Sequence, residues 1–196
     1  MRIILASNNQ GKIKELKDKL GNKYEVVSLV DVGITEDIEE FGITFEQNAL
    51  IKAQYVAKKF PDDLVIADDS GLEIKALKGD PGVYSARYAQ GEEGFEENSD
   101  LANTKKVLRK LEGIENRDAK FVTVLCVIKP DEKPIFIRGE VSGYILETIT
   151  GDGGFGYDPI FTTDHLSSFA EMTMEEKQAI SHRGLALKAL FEEKLF

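Results

Sequence analysis

Asp68 and Asp69 stand side by side at the end of an apolar run, residues 63–67, and are followed by Ser70 and Gly71. Adjacent carboxylates at a strand end repel each other, and a bound cation relieves that repulsion. Mg²⁺ suits such a place, because it takes one or two protein carboxylates and completes its shell with substrate phosphates and water. The competing reading is a polar turn in which an Asp caps the next segment. Gly71 permits a sharp turn, so the strand is expected to end at Ala67. A second acidic cluster, Glu36, Asp37, Glu39 and Glu40, precedes Gly42. Most of it reads as solvated, with one member available to complete a metal site.

Three other groups have chemistry in their residue types. Ser7-Asn8-Asn9-Gln10-Gly11-Lys12 lies between a short apolar run and a segment with helical spacing at Ile13, Leu16 and Leu20. Free N–H groups at a helix start attract phosphate, Asn side chains donate, and Lys12 adds a full charge. The glycine spacing of a Walker A loop is missing, and a plain helix cap with a solvated lysine is the alternative. Gly153-Gly154-Phe155-Gly156-Tyr157-Asp158-Pro159 lets backbone approach a flat ligand. A ring there can stack on a base and Asp158 can accept a hydrogen bond; an aromatic-anchored hairpin loop is the other reading. Lys177 and Ser181-His182-Arg183 precede the last helix, where Arg183 offers a planar fork of donors for phosphate or a keto oxygen. A surface helix start would explain the same residues. His165 has no partner pattern and reads as structural or exposed.

The elements that must position these groups are legible from periodicity. Residues 3–6, 24–29 and 63–67 read as strands, and 119–128 and 135–145 as two long β-branched strands lying next to each other. Thr44 and Gln47 have capping-box spacing before an amphipathic helix through Ala49, Ala53, Val56 and Ala57. Ser99 caps a helix to Leu111, residues 79–82 form a turn, and residues 175–180 and 183–195 are helical. The acidic stretch 91–98 reads as exposed. No repeat, linker or low-complexity segment divides the 196 residues, so the expectation is one domain, 1–196, of class α/β. Such a chain buries roughly 70% of its unfolded surface and needs no staples. Its single cysteine, Cys126, lies in an apolar run and reads as a buried structural thiol; one cysteine points to a reducing cytoplasm. The N-terminal apolar run is too short for a signal peptide, and none approaches the ~20 residues of a membrane span. The net charge of -10, without a basic run, speaks against nucleic acid as a partner. It leaves a nucleotide possible, since a metal ion and a few lysines reverse the local field.

In this order and at this spacing, the segments resemble the inosine triphosphate pyrophosphatase family. The matching pieces are residues 7–12, 39–42 with Thr44, Phe45, Asn48 and Ala49, 67–71, 81–87, 153–161 and 180–183, spread over nearly the whole chain. Residues 67–71 and 181–183 look closest to bacterial members. The resemblance implies an elongated mixed β-sheet flanked by helices, with two lobes around a nucleotide cleft, and a homodimer. It implies that Ser7, Asn8, Asn9, Gln10, Gly11, Lys12 and Lys52 hold the triphosphate. Glu39 and Asp69 would bind Mg²⁺, with Asp69 also the proton acceptor, and Ser70 would touch substrate. Phe155, Gly156, Tyr157, Asp158, Lys177, His182 and Arg183 would line the base and sugar end. Two departures stand out: Ser7 replaces a frequent threonine, keeping the hydroxyl, and Asn8 stands where glycine is frequent. Stretch 91–98 matches least.

The implied reaction is hydrolysis of inosine, deoxyinosine or xanthosine triphosphate to the monophosphate and pyrophosphate. Asp69 would orient a water that attacks the α-phosphorus. Arg183 and Asp158 are the types that would read a 6-keto oxygen and an N1–H, rejecting adenine. A related fold acting on thymidine or uridine triphosphates carries a Ser-x-Ser-x-x-Arg type loop, absent here. A nucleotide-binding regulator without catalysis would not need the Asp68-Asp69 pair.

Overall fold

The protein is described by a computed structural model covering residues 2–20, 24–91 and 99–193. Residues 92–98, the bulk of the acidic stretch, and residues 194–196, the end of the last expected helix, lie outside it.

Six strands form one mixed sheet in the order β2-β1-β3-β4-β5-β6. These are β1 (Arg2–Ala6), β2 (Glu25–Ser28), β3 (Leu64–Ile74), β4 (Asp118–Ile128), β5 (Ile135–Ile145) and β6 (Phe161–Thr162). The helices are α1 (Gln10–Leu20), α2 (Phe45–Lys59), α3 (Asp100–Lys110), α4 (Met174–Ile180) and α5 (His182–Glu192). β1 runs parallel to both β2 and β3, whereas β5 and β6 are antiparallel. The α/β class is therefore as expected. Among the described residues no helix is long and apolar enough to cross a membrane.

The chain divides into two compact units. The first comprises residues 1–69, 123–139 and 186–196. Its core gathers Ile3 and Leu5 of β1, Leu16 and Leu20 of α1, Leu64 and Ile66 of β3, Leu125 and Val127 of β4, and Leu187 and Leu190 of α5. These are the positions that period-2 and period-3.6 patterns mark as apolar. Cys126, in β4, is fully buried here, and burial pushes its thiol up to about 12. The second unit comprises residues 70–122 and 140–185. Its core is aromatic: Phe121, Phe161 and Phe169 form a cluster, with Phe121 and Phe161 centroids 4.5 Å apart and Phe161 edge-on to Phe169 at 4.9 Å.

One expectation fails. β3 does not stop at Ala67; it continues through Asp68, Asp69, Ser70 and Gly71 to Ile74. The carboxylates do not break it because each has a cation from elsewhere in the chain, and compensated charges can stay in a buried strand. The expected caps largely hold. Thr44 accepts from Gln47 N at 3.2 Å and Ser99 from Ala102 N at 3.3 Å. The Gln47 side chain, however, reaches back to Ile43 N at 2.8 Å rather than to Thr44, so the box closes one residue early.

Candidate active site

In the first unit, the parallel register pairs Ala6 of β1 with Ala67 of β3. Ser7, where the chain leaves β1, therefore lies beside Asp68, where β3 runs on. After Ser7 the chain turns into α1, with Ser7 Oγ accepting from Asn9 N at 3.2 Å and Asn9 Oδ1 accepting from Lys12 N at 3.0 Å. Asn9 is thus the helix cap. Asn8, Asn9 and Gln10 are exposed, Ser7, Gly11 and Lys12 half-buried, so this helix start is open to an anion.

Lys12 crosses to β3. Its Nζ lies 2.7 Å from Asp68 Oδ1 and 3.4 Å from the Asp68 carbonyl. Lys52, from α2, reaches the neighbouring carboxylate: its Nζ is 3.3 Å from Asp69 Oδ1 and 2.5 Å from Glu40 Oε1. The adjacent aspartates are therefore relieved by two lysines, which sequence reasoning assigned only to phosphate. Burial works against the Lys52 charge, but Asp69, Glu40 and Asp68 outweigh it and hold its pKa above the usual lysine value. Burial raises the Asp69 carboxyl above the ordinary aspartate value; Lys52 and Lys12 pull it back, while Glu40 and Asp68 push it further up. Its other oxygen, Oδ2, is buried and meets no hydrogen-bond donor among the described residues.

The acidic cluster before Gly42 disperses. Glu36 is held by Tyr55 and Lys59, and Asp37 accepts from Asn8 Nδ2 at 3.5 Å. Glu39, the residue carried over as a metal ligand, is exposed, whereas Glu40 joins the Lys52–Asp69 group. Glu40 is thus the member that sequence reasoning did not single out; nothing in the local pattern separates it from its neighbour. Among the described residues no three His, Cys, Asp or Glu side chains could hold a metal by themselves. A bare Asp69 oxygen beside further carboxylates still fits Mg²⁺, which draws much of its shell from phosphate and water.

The second unit builds a different site. The loop before Asp158 turns on glycines in the left-handed region, Gly154 at φ 70° and Gly156 at φ 62°. A Cβ on Gly154 would lie 2.3 Å from Asp158 Oδ2, so glycine there is required by close approach as well. Asp158 is buried, and its Oδ2 accepts from Phe155 N at 2.8 Å and from Lys177 Nζ at 2.7 Å. Lys177 Nζ stands 4.4 Å from the centre of the Phe155 ring, and the Arg183 guanidinium 5.5 Å from it. Arg183 is only 1% exposed and donates to Ser70 Oγ at 2.9 Å. Half-buried Phe155 is thus the ring that two cations frame, a setting suited to a flat, electron-rich ligand.

Two neighbours are packed within the same unit. Tyr157 is buried and donates its hydroxyl to the Ser85 carbonyl at 2.7 Å, with burial raising its pKa. His182 stacks on Phe121 at 4.7 Å and 13°. Gly156 N donates to Asp100 Oδ2 at 2.7 Å, tying the loop to α3. His165 packs against Tyr144, with centroids 3.8 Å apart.

Comparison with known proteins converges on one family. The family model described as Ham1 family matches residues 3–193. The chain is 51% identical to the dITP/XTP pyrophosphatase of Bacillus subtilis over 191 residues, covering 95% of this chain and 93% of that protein. It is 46% identical to the dITP/XTP pyrophosphatase of Caldanaerobacter subterraneus over 196 residues, covering 98% and 95%. The solved Staphylococcus aureus Ham1 protein superposes with a TM-score of 0.85 at 44% identity, with 99% of each chain covered. The nucleoside-triphosphatase / dITP/XTP pyrophosphatase of Mycobacterium abscessus gives 0.76 at 42%, with 97% and 98% covered.

Proposed function

The chain belongs to the Ham1 family, and we propose that it hydrolyses inosine, deoxyinosine and xanthosine triphosphates to the monophosphate and pyrophosphate. This removes non-standard purines from the nucleotide pool before they enter DNA or RNA. The observation that carries the reading is Asp69: a buried carboxylate with one oxygen held by Lys52 and the other without a donor among the described residues. A protein that merely bound nucleotide would gain nothing from that arrangement.

In this reading the first unit takes the phosphates. The N–H groups of Gln10 and Gly11, the polar side chains from Ser7 to Gln10, and Lys12 and Lys52 hold the chain of phosphates, and the two lysines stabilise charge that grows on the pyrophosphate. Asp69 orients a water in line with the α-phosphorus and takes its proton, a task helped by burial, which raises its carboxyl above the ordinary aspartate value. Asp69 with Glu39 or Glu40 would hold Mg²⁺, which supplies charge neutralisation on the phosphates. The second unit takes the nucleoside: Phe155 stacks on the base, Arg183 and Lys177 face its keto oxygen, and Ser70, Gly156, Asp158, Tyr157 and His182 shape the surroundings. Adenine fails because its 6-amino group offers a donor where the protein also offers donors.

The family resemblance supports a homodimer, and the lone buried Cys126 supports a reducing cytoplasm. The acidic surface supports a free nucleotide rather than nucleic acid as the ligand. The test is pyrophosphate release by purified protein with Mg²⁺, comparing inosine, xanthosine, adenosine and guanosine triphosphates. EDTA-sensitive release from the first two is expected. Orthophosphate in place of pyrophosphate, or no release, overturns the proposal.

A further inference from the structure

We infer that Asn48 is a substrate-binding residue of the phosphate site, donating its side-chain NH₂ to an anionic phosphate oxygen while its carbonyl end fixes the acidic loop. This rests on the reading that the substrate is a nucleoside triphosphate.

Asn48 is fully buried on α2, one helical turn before Lys52 and on the same face. Its Oδ1 accepts from Gly42 N at 2.8 Å. The approach is close: a Cβ on Gly42 would lie 2.6 Å from Asn48 Oδ1 and 2.7 Å from Gln47 Cβ, so residue 42 must be glycine for the clamp to form. The bond also fixes which end of the amide is which. Turning the side chain over would set its NH₂ against the Gly42 N–H, donor to donor. Nδ2 is therefore committed to the other side, where it is buried and meets no acceptor among the described residues.

A sheltered NH₂ that meets no acceptor among the described residues calls for a partner from outside them. The neighbourhood identifies the ligand. The loop clamped at Gly42 also carries Glu40, whose carboxylate sits on Lys52. Glu40 and Lys52 are each partly exposed, with 20% and 10% of the side chain accessible, so this pair is the part an incoming anion meets. A phosphate oxygen that replaces Glu40 as the partner of Lys52 arrives one turn from Asn48. It brings the acceptor that the amide lacks.

The decisive experiment is an NMR titration of ¹⁵N-labelled protein with inorganic triphosphate, following the Asn48 side-chain amide pair. Its resonances are expected to shift and its exchange with water to slow; resonances that stay in place while the Lys12 and Lys52 signals move overturn the inference. Asn48→Asp keeps an oxygen for Gly42 N–H and replaces the donor by an acceptor of the same shape. In that variant triphosphate affinity should fall by roughly tenfold or more, with inosine binding changed less than about twofold. KM for inosine triphosphate should rise accordingly. Equal triphosphate affinity in the variant refutes the donor role, and if the variant does not fold, the wild-type titration still decides. Both readouts use triphosphate binding alone. They separate failure of this inference from failure of the hydrolytic reading, which is judged by pyrophosphate release.

Discussion

The two units solve opposite problems with the same few residue types. In the first, lysines meet carboxylates: Lys12 on Asp68, Lys52 on Asp69 and Glu40, all buried or nearly so. In the second, Lys177 and Arg183 lie beside the Phe155 ring, and Lys177 also meets the Asp158 carboxylate. A lysine locked to a carboxylate stores charge that a phosphate chain can claim. A cation framed by a ring and a fixed loop instead presents direction and flatness. The first arrangement suits a ligand known by its charge, the second a ligand known by its edge. Substitutions in the two units should therefore fail differently.

The sharpest way to break the comparison is Asp69→Asn. The variant should stay folded and lose about 10²–10⁴-fold in kcat for every triphosphate, whatever its base; turnover within a few-fold of the original removes Asp69 from the chemistry. Lys52→Met comes next. It strips Asp69 and Glu40 of their buried partner and should lower stability by about 3–5 kcal/mol, read as a fall in Tm, as well as weakening phosphate binding. Arg183→Ala empties a buried position and should lower stability too, but unlike Lys52→Met it should change selectivity. The preference for inosine over adenosine triphosphate should narrow by about 10–100-fold, and an equal loss on both substrates would show that the arginine does not read the base.

Smaller effects sharpen the picture. In the metal-free protein the Asp69 carboxyl should titrate above 3.8, because burial disfavours its charge. A raised acid pKa means that the fold favours the proton. The resulting penalty on folding is absent below the unfolded value, grows as the pH rises between the two values, and is complete above the folded one. Glu40→Gln removes a neighbouring negative charge and should move the Asp69 titration down, measured by carboxyl ¹³C shifts; an upward move would contradict the contact. The smallest expected effect is Tyr157→Phe, which leaves the Ser85 carbonyl without its donor and should cost about 0.5–1.5 kcal/mol by denaturant unfolding, with selectivity unchanged.

Much of this was readable in order along the chain. The Ser7–Lys12 turn, the caps at Thr44 and Ser99 and the glycine loop before Asp158 are local, and local rules found them. What stayed hidden was long-range compensation. The Asp68-Asp69 pair reads as a strand end only because Lys12 and Lys52, distant in sequence, cannot be seen beside it; with them in place β3 runs on to Ile74. The same limit separates Glu39 from Glu40, neighbours of identical type of which one is exposed and the other reaches Lys52. The Tyr157 hydroxyl's partner, Ser85, lies 72 positions away and was equally out of reach of a local reading. Asn48 was visible as part of a motif, yet its divided role depends on the Gly42 clamp, which only coordinates reveal.

The inert Cys126 has a practical consequence. With a thiol pushed up to about 12 and no exposed surface, it offers almost no thiolate to a disulfide reagent at neutral pH while the fold is closed. Labelling must then wait for β4 to open. As the chain's single cysteine, it is a built-in clock: at a reagent concentration where labelling outpaces reclosing, the rate at which a chromogenic disulfide is consumed gives the opening rate of the first unit without any engineered probe.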